Sequence, residues 1–373
     1  MKKIAIIHWL PLEYYPPATN LLDYLSKNSK AQYVVFSSDN SKKRTPYFND
    51  VVPIVRYPFP LSQENIISRL WKYLLFNIGV LFRLTIFKPE KILYFEPHSA
   101  GVVYWYCRFF KTRPALLIHY HEYYEPTQFK RQGMRLVNRY HQYERKFLYP
   151  KACWISQTNK KRVELFLRDC PEVNREILKV MPNYPPKSWQ KITEKQSSNR
   201  QPMKCVYIGS ISLKDSFIRE VCDWIINKQD KIAFDIYSYN IPKETVKYLL
   251  NLKQQSIRLF DLGIPYHEVP SVLSRYHIGL ILHKGHNLNY VYNAPNKLFE
   301  YLACGLDVWF PKEMQGVYPY QRNDFLPKVI SVDFTKMSSF EINKALDRNG
   351  LIWRPHKYCY EDIYPEMERA LLN

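Results

Sequence analysis

"NAPNKLFEYLACGLDVWFP", Asn293 to Pro311, carries a helix start, a helix stop and a strand in immediate succession. Asn293 is a capping residue type, and Pro295 suits a first helical turn because its missing N–H would have no partner there. Gly305 suits a left-handed stop, and Val308 to Phe310 reads as a buried strand. Leu298, Phe299, Leu302 and Ala303 share one helical face and would seat the helix on a sheet. A helix running directly into a buried strand is the repeating unit of a parallel α/β sheet.

Outward from this stretch the unit recurs along the chain. Apolar runs at Lys3 to His8, Tyr33 to Ser37, Val51 to Tyr57, Lys91 to Phe95, Ala115 to His119 and Cys153 to Ser156 alternate with longer amphipathic stretches. "VMPNYPPKSWQKITEKQSSNRQPMK" interrupts the pattern with prolines and then a polar stretch without apolar period, as an interdomain linker does. A second series follows: strands at Met203 to Ile208, Ile232 to Tyr237, Ile257 to Phe260, Ile278 to His283 and Val308 to Phe310, with helices at Ser216 to Lys228 and Lys243 to Lys253. The predicted class is α/β, with two Rossmann-like, doubly wound domains, residues 1–185 and 186–373, facing a central cleft; the final helix packs back on the first domain. In such sheets ligands bind at the carboxyl ends of the strands.

A chain of 373 residues exceeds the size at which a single core stops growing, and an apolar content of 46% excludes a mostly disordered polymer. The seven cysteines are scattered and show no CxxC pairing, so a reducing, cytoplasmic compartment is expected rather than a disulfide framework or a zinc site. "MKKIAIIHW" runs into "LPLEYYPP" without a small-residue cleavage site, so no signal peptide is read there. The net charge of +20 points either to a phosphate-bearing partner, nucleic acid or an anionic membrane, or to no more than a lysine-rich, low-glycine, tyrosine-rich composition. Arg131, Arg135 and Arg139 recur every fourth residue, a spacing that predicts a basic stripe on one helix. "NIISRLWKYLLFNIGVLFRLTIFK", Asn65 to Lys88, is apolar, but Arg69, Lys72, Asn77 and Arg83 interrupt it below the roughly 20 residues of a span. It is expected to cover one face of the first sheet and to dip aromatic and basic residues into an anionic leaflet beside the arginines.

The usual phosphate loops are missing. "IAIIHWLPLEYYPPATN" has no glycine where a dinucleotide fold needs GxGxxG, and no GxxxxGK[ST] occurs. No DxD pair occurs either, so no metal site is expected. An anion can instead be held by the free N–H groups at the start of the 293–303 helix, with Lys297 adding a full charge. Glu300 stands roughly 8 Å from that start at the helical rise per residue, about the reach from a diphosphate to the ribose of the same nucleotide. A carboxylate there accepts both ribose hydroxyls; the same pair would otherwise be an ordinary surface ion pair.

These residues carry a resemblance. "NAPNKLFEYLACGLDV" resembles the donor-site motif of GT-B glycosyltransferases of the family 4 type. "YHEYYEP" (Tyr120 to Pro126) is similar to that family's His-acidic loop, "ERKFLYPKACWISQTNKKRVELFL" to its domain-ending helix and strand, "VMPNYPP" to its linker, and "VYIGSISLKD" to its donor loop. The resemblance implies Glu300 on the ribose; Asn293, Pro295, Asn296 and Lys297 with Gly209 on the diphosphate; and His121 near the transferred sugar. It implies a phosphate contact at Lys214; Ser210, also a donor-binding candidate, stands where the family has arginine, so one phosphate contact is missing or comes from elsewhere. Tyr292 replaces the first glutamate of the family's E-x7-E motif, so the stereochemical outcome stays open, and Asp307 replaces its usual proline.

Acids and imidazoles at N-terminal strand ends, Glu13, Glu96, His98, His121 and Glu122, are candidates for a catalytic base. His121 oriented by Glu122 ranks first, with Glu13 beside them. Tyr14 or Tyr15 in "YYPPATN" could stack on a sugar or pack in the core. The implied activity is metal-independent transfer of a sugar from an NDP- or UDP-type donor to a glycan or lipid-linked acceptor. It belongs to surface polysaccharide or lipopolysaccharide synthesis at the inner face of the membrane, with no further cofactor and no nucleic acid. The alternatives are a noncatalytic nucleic-acid or polyanion binder, or a nucleotide-sugar epimerase on the same fold.

Overall fold

The structure, a computed structural model, describes every residue except 29–30, 40–44, 62–63, 111–112, 132, 191–201, 229–230 and 240. The chain forms two compact units, Met1–Pro182 with Tyr360–Asn373, and Asn183–Cys359. Most of the polar half of the expected linker lies outside the described residues. Its first half, from Asn183, belongs to the second unit, where Trp189 is buried against Tyr266 with ring centroids 4.7 Å apart.

The first unit is a seven-stranded parallel sheet built from β1 (Lys3–His8), β2 (Gln32–Asp39), β3 (Ile54–Pro58), β4 (Lys91–Phe95), β5 (Ala115–Tyr120), β6 (Ala152–Gln157) and β7 (Leu178–Val180), in the order β3-β2-β1-β4-β5-β6-β7. Its helices are α1 (Pro16–Asn28), α2 (Ile66–Phe87), α3 (Glu96–Phe109), α4 (Arg135–Tyr143) and α5 (Lys160–Asp169). The central strands are buried on both faces, which is why they read as unbroken apolar runs. β3 starts later than its apolar run because the Asn49 side chain captures the amides of Val51 and Val52 at 3.1 and 2.9 Å. The final helix, Tyr364–Leu372, packs on α1, where Tyr24 donates to Glu368 and the Tyr364 hydroxyl to the Pro17 carbonyl, both at 3.0 Å.

The second unit repeats the plan with β8 (Met203–Ile208), β9 (Ile232–Tyr237), β10 (Ile257–Phe260), β11 (Ile278–Leu280), β12 (Asp307–Pro311), β13 (Phe325–Leu326), β14 (Val329–Val332) and β15 (Ile352–Trp353). Its six-stranded parallel sheet runs β10-β9-β8-β11-β12-β14, and β13 pairs β15 separately. β11 is shorter than the expected Ile278 to His283 because His283 bridges antiparallel to Ser216 in the loop after β8. Helices α6 (Ile218–Ile226), α7 (Lys243–Asn251), α8 (Val269–Leu273), α9 (Leu288–Val291) and α10 (Asn296–Ala303) cover it, together with Ile342–Leu346.

Two helical expectations are corrected. Arg131 lies outside α4 in extended conformation (φ −67, ψ 152), so only Arg135 and Arg139 share that helix and the three-arginine stripe does not form. The charges in α2 do not hold it below the length of a span: the expected helix is continuous over 22 residues, capped by the Asn65 side chain on the Ser68 amide and ended by Lys88 in left-handed conformation. By length and composition it would suffice to cross a membrane, but Phe76, Val80 and Leu84 are fully buried in the first unit's core.

Candidate functional site

In the second unit the site residues gather around the start of α10. Tyr301 seats that helix. Its ring lies over Gly279, where no Cβ would fit, and its hydroxyl accepts from the Ile208 amide at 3.0 Å while reaching the Leu280 carbonyl at 3.4 Å. The helix ends in a left-handed stop at Gly305 (φ +77), with Leu306 N–H donating to the Tyr301 carbonyl and Gly305 N–H to that of Leu302. Asn293 does not cap it. The N-cap is Pro295, extended and without any side-chain hydrogen bond, because two further residues separate Asn293 from the first turn. The leading amides of α10 therefore keep their positive end uncapped by this helix's own side chains.

Lys297 and Glu300 are both buried and do not form the surface ion pair that their spacing allows. Burial pushes the Lys297 ammonium down to about 7 and the Glu300 carboxyl up to about 7, and the charge of each opposes the other's shift without cancelling it. The Lys297 ammonium lies 4.0 Å above the Tyr207 ring, and a Cβ on Gly209 would stand 3.0 Å from it. Gly209 (φ +130) thus brings the end of β8 within reach of Lys297. His283, stacked on Tyr290 with ring centroids 5.1 Å apart, is held neutral by burial and by the nearby Lys297 charge. Tyr207, His283 and Tyr290 were not singled out in the sequence; the signal for the first two is their place at, or just past, the ends of β8 and β11.

Ser210 and Lys214 are exposed on the loop after β8. The Ser210 carbonyl accepts from the Tyr207 hydroxyl at 2.6 Å, which fixes the turn leaving Gly209. Asp307 is structural: its buried carboxylate accepts from the Lys328 amide at 2.7 Å and from Arg348 at 2.8 Å, tying β12 to β14 and to the segment beyond.

In the first unit the carboxyl ends of β1, β4 and β5 bring together His8, Glu96, His119 and His121. The His121 ring stacks on Phe95 at 5.2 Å and stands 4.6 Å from His119, 5.9 Å from His8 and 5.5 Å from Tyr15. Tyr15 thus packs edge-on against His8 at 4.7 Å, within the histidine cluster. Burial lowers His8 to about 4 and His119 to about 3, so both are neutral imidazoles at neutral pH. Burial, with the Glu122 charge second, raises Glu96 to about 8, so it is a neutral acid there. Glu96 opens α3 in left-handed conformation (φ 64), and its Oε1 accepts from the His121 amide at 2.7 Å. A strained non-glycine residue that anchors the His121 backbone marks Glu96 as a site residue the sequence placed only among five candidates.

The expected pairing of His121 with Glu122 is replaced. Glu122 faces the buried Arg162 guanidinium at 3.5 Å, and Arg162 also donates to the His121 carbonyl at 2.7 Å. Glu13 is bound to Arg56 at 2.6 Å and accepts from the Tyr47 amide at 2.7 Å, so it ties the loop after β1 to β3 rather than standing ready as a base. Among the described residues no group of three or more His, Cys, Asp or Glu side chains is placed to hold a metal ion.

No family profile matches the chain, and no curated protein matches it in sequence. Solved structures do match over nearly its full length. Anabaena HepE in complex with UDP and glucose aligns at TM-score 0.65 and 9% identity, covering 100% of both chains. Sucrose-phosphate synthase from Thermosynechococcus elongatus aligns at TM-score 0.63 and 12% identity, over 100% of this chain and 95% of that one. The lipopolysaccharide outer core galactosyltransferase WaaB aligns at 0.57 and 12%, over 98% and 95%. What these glycosyltransferases share with the chain at such identity is the architecture: two parallel-sheet Rossmann-like units, the GT-B fold.

Proposed function

We propose that the chain is a glycosyltransferase that takes a sugar from a nucleotide-sugar donor of the UDP type and passes it to a glycan or lipid-linked acceptor. The observation that carries this reading is the buried, mutually unbonded pair Lys297 and Glu300 on α10, beside Gly209 and the uncapped helix start. A buried lysine near neutrality gains its charge when a diphosphate arrives, and a buried carboxyl loses its proton when it meets ribose hydroxyls. Both groups are costly in the empty protein and are satisfied by one ligand. HepE with UDP and glucose and the galactosyltransferase WaaB, proteins of the same fold, support the choice of donor and of a surface-glycan pathway.

In this mechanism the α10 amides and Lys297 stabilise the negative charge that develops on the leaving diphosphate, a role they fill without a metal. Glu300 and the His283–Tyr290 stack position the nucleoside. On the first unit, His121 receives the acceptor proton, with Glu96 and Arg162 holding its backbone from either side. The seven scattered free thiols support a reducing, cytoplasmic setting. Incubating the protein with UDP-glucose or UDP-galactose and measuring released UDP tests the reading. Release above background that persists in EDTA and is lost in Lys297→Met supports it; equal release from wild type and variant rejects the assignment.

A further inference from the structure

We infer that the outward face of α2 is a membrane-docking surface that lies flat in the interface of an anionic bilayer. The helix presents Ile67, Leu70, Trp71, Ile78, Phe82 and Ile86 to solvent along its whole length, with Trp71 64% and Phe82 65% exposed. At 1.5 Å per residue the stripe is about 30 Å long, well beyond the scattered apolar residues of an ordinary surface. Its opposite face needs no further cover, because Phe76, Val80 and Leu84 already fill the core against the sheet. The helix is therefore apolar on both sides, and only one side has a partner in the fold.

Charge selects the occupant. No aspartate or glutamate occurs between Asn65 and Lys88, and Arg69, Arg83 and Lys88 are exposed. α3 packs beside α2 and α4 beside α3, which adds Arg108, Arg135 and Arg139; the one carboxylate in α3 and α4, Glu96, is buried. Glu64, just before the helix, is tied to Lys72, and Glu90, just past its end, accepts from the Lys3 amide. The remaining surround is predominantly basic, and an apolar stripe within it matches lipid tails beneath anionic headgroups. A second copy fits less well, since a twofold contact would set the same arginines against each other. Spanning the bilayer is excluded by the fold itself, because it would strip Phe76, Val80 and Leu84 from the core.

The test uses the full-length protein and vesicles of phosphatidylcholine with or without 30% phosphatidylglycerol, separated by flotation. Wild type is expected to float with the anionic vesicles, at least fivefold less with neutral ones, and to be released by alkaline carbonate. Brominated lipid should quench wild-type tryptophan emission, and that quenching should fall in Trp71→Phe. Trp71→Asp with Phe82→Asp should lower flotation at least fivefold. Its circular dichroism and its thermal shift with UDP should stay as in wild type, so that loss of docking is distinct from loss of fold or donor binding. Three results overturn the inference: unchanged flotation of the double variant, carbonate-resistant insertion, or a wild-type dimer in light scattering that ignores vesicles and dissociates in the variant.

Discussion

Glu96 exposes the energetics of the first unit most plainly. Its carboxyl is raised from 4.5 to about 8 by burial, so the folded chain holds a proton that the unfolded chain releases between those values. Stability contributed at this position is therefore intact below pH 4.5 and falls as pH rises through about 8, by an amount on the order of a few kcal/mol. Glu96→Gln keeps an oxygen for the His121 amide and removes the titration. Denaturant melts from pH 5 to 9 should show a shallower loss of stability in the variant; parallel curves would mean that Glu96 is ionised in the fold. In the second unit, Glu300 is raised and Lys297 lowered, both toward 7. Binding of a diphosphate to Lys297 should accordingly take up protons near pH 8, seen as a buffer-dependent heat in calorimetry that disappears in Lys297→Met.

At the scale of elements, α10 and β12 are held by groups whose removal has a defined cost. Gly305 sits at φ +77 with Trp353 only 2.9 Å from where a Cβ would be. Gly305→Ala should destabilise the second unit by more than about 1 kcal/mol, through left-handed strain together with the clash. Asp307→Ala leaves Arg348 and the Lys328 amide without their buried acceptor and should cost roughly 3–5 kcal/mol, read as a lower denaturation midpoint. The strands at the centre of both sheets, β11 apart, were legible to within a residue or two because burial on both faces writes a continuous apolar run; β11 ends three residues early, where His283 turns to bridge Ser216. β7 and β14, three and four residues at sheet edges, were missed because so short a run has no readable period. The start of α10 was misread for a related reason: Asn293 is the better capping type, but register against the sheet, set by Tyr301, put the first turn after Pro295. Lys297 and Glu300 were legible as types and spacing, whereas the replacement of Glu122 and Glu13 by ion pairs with Arg162 and Arg56 depends on contacts 40 and 43 residues distant in sequence.

For the whole molecule, the chain returns at its end to the unit where it began: Lys91 donates to the Ala370 carbonyl at 2.7 Å, and Tyr364 is buried against α1. Deleting 360–373 should lower the melting temperature of the first unit and leave donor binding by the second within about twofold, since the cores are separate. Equal loss of both would show that the two units unfold as one. The central claim, that α10 holds the diphosphate at its start and the ribose one turn further in, is tested most directly by a double comparison in titration calorimetry. UDP and its 2′,3′-dideoxy analogue are each bound to wild type and to Glu300→Ala. Wild type is expected to prefer UDP by roughly tenfold or more, the worth of hydrogen bonds to a charged group, and the variant to bind the two alike. An undiminished preference for UDP in Glu300→Ala would contradict it.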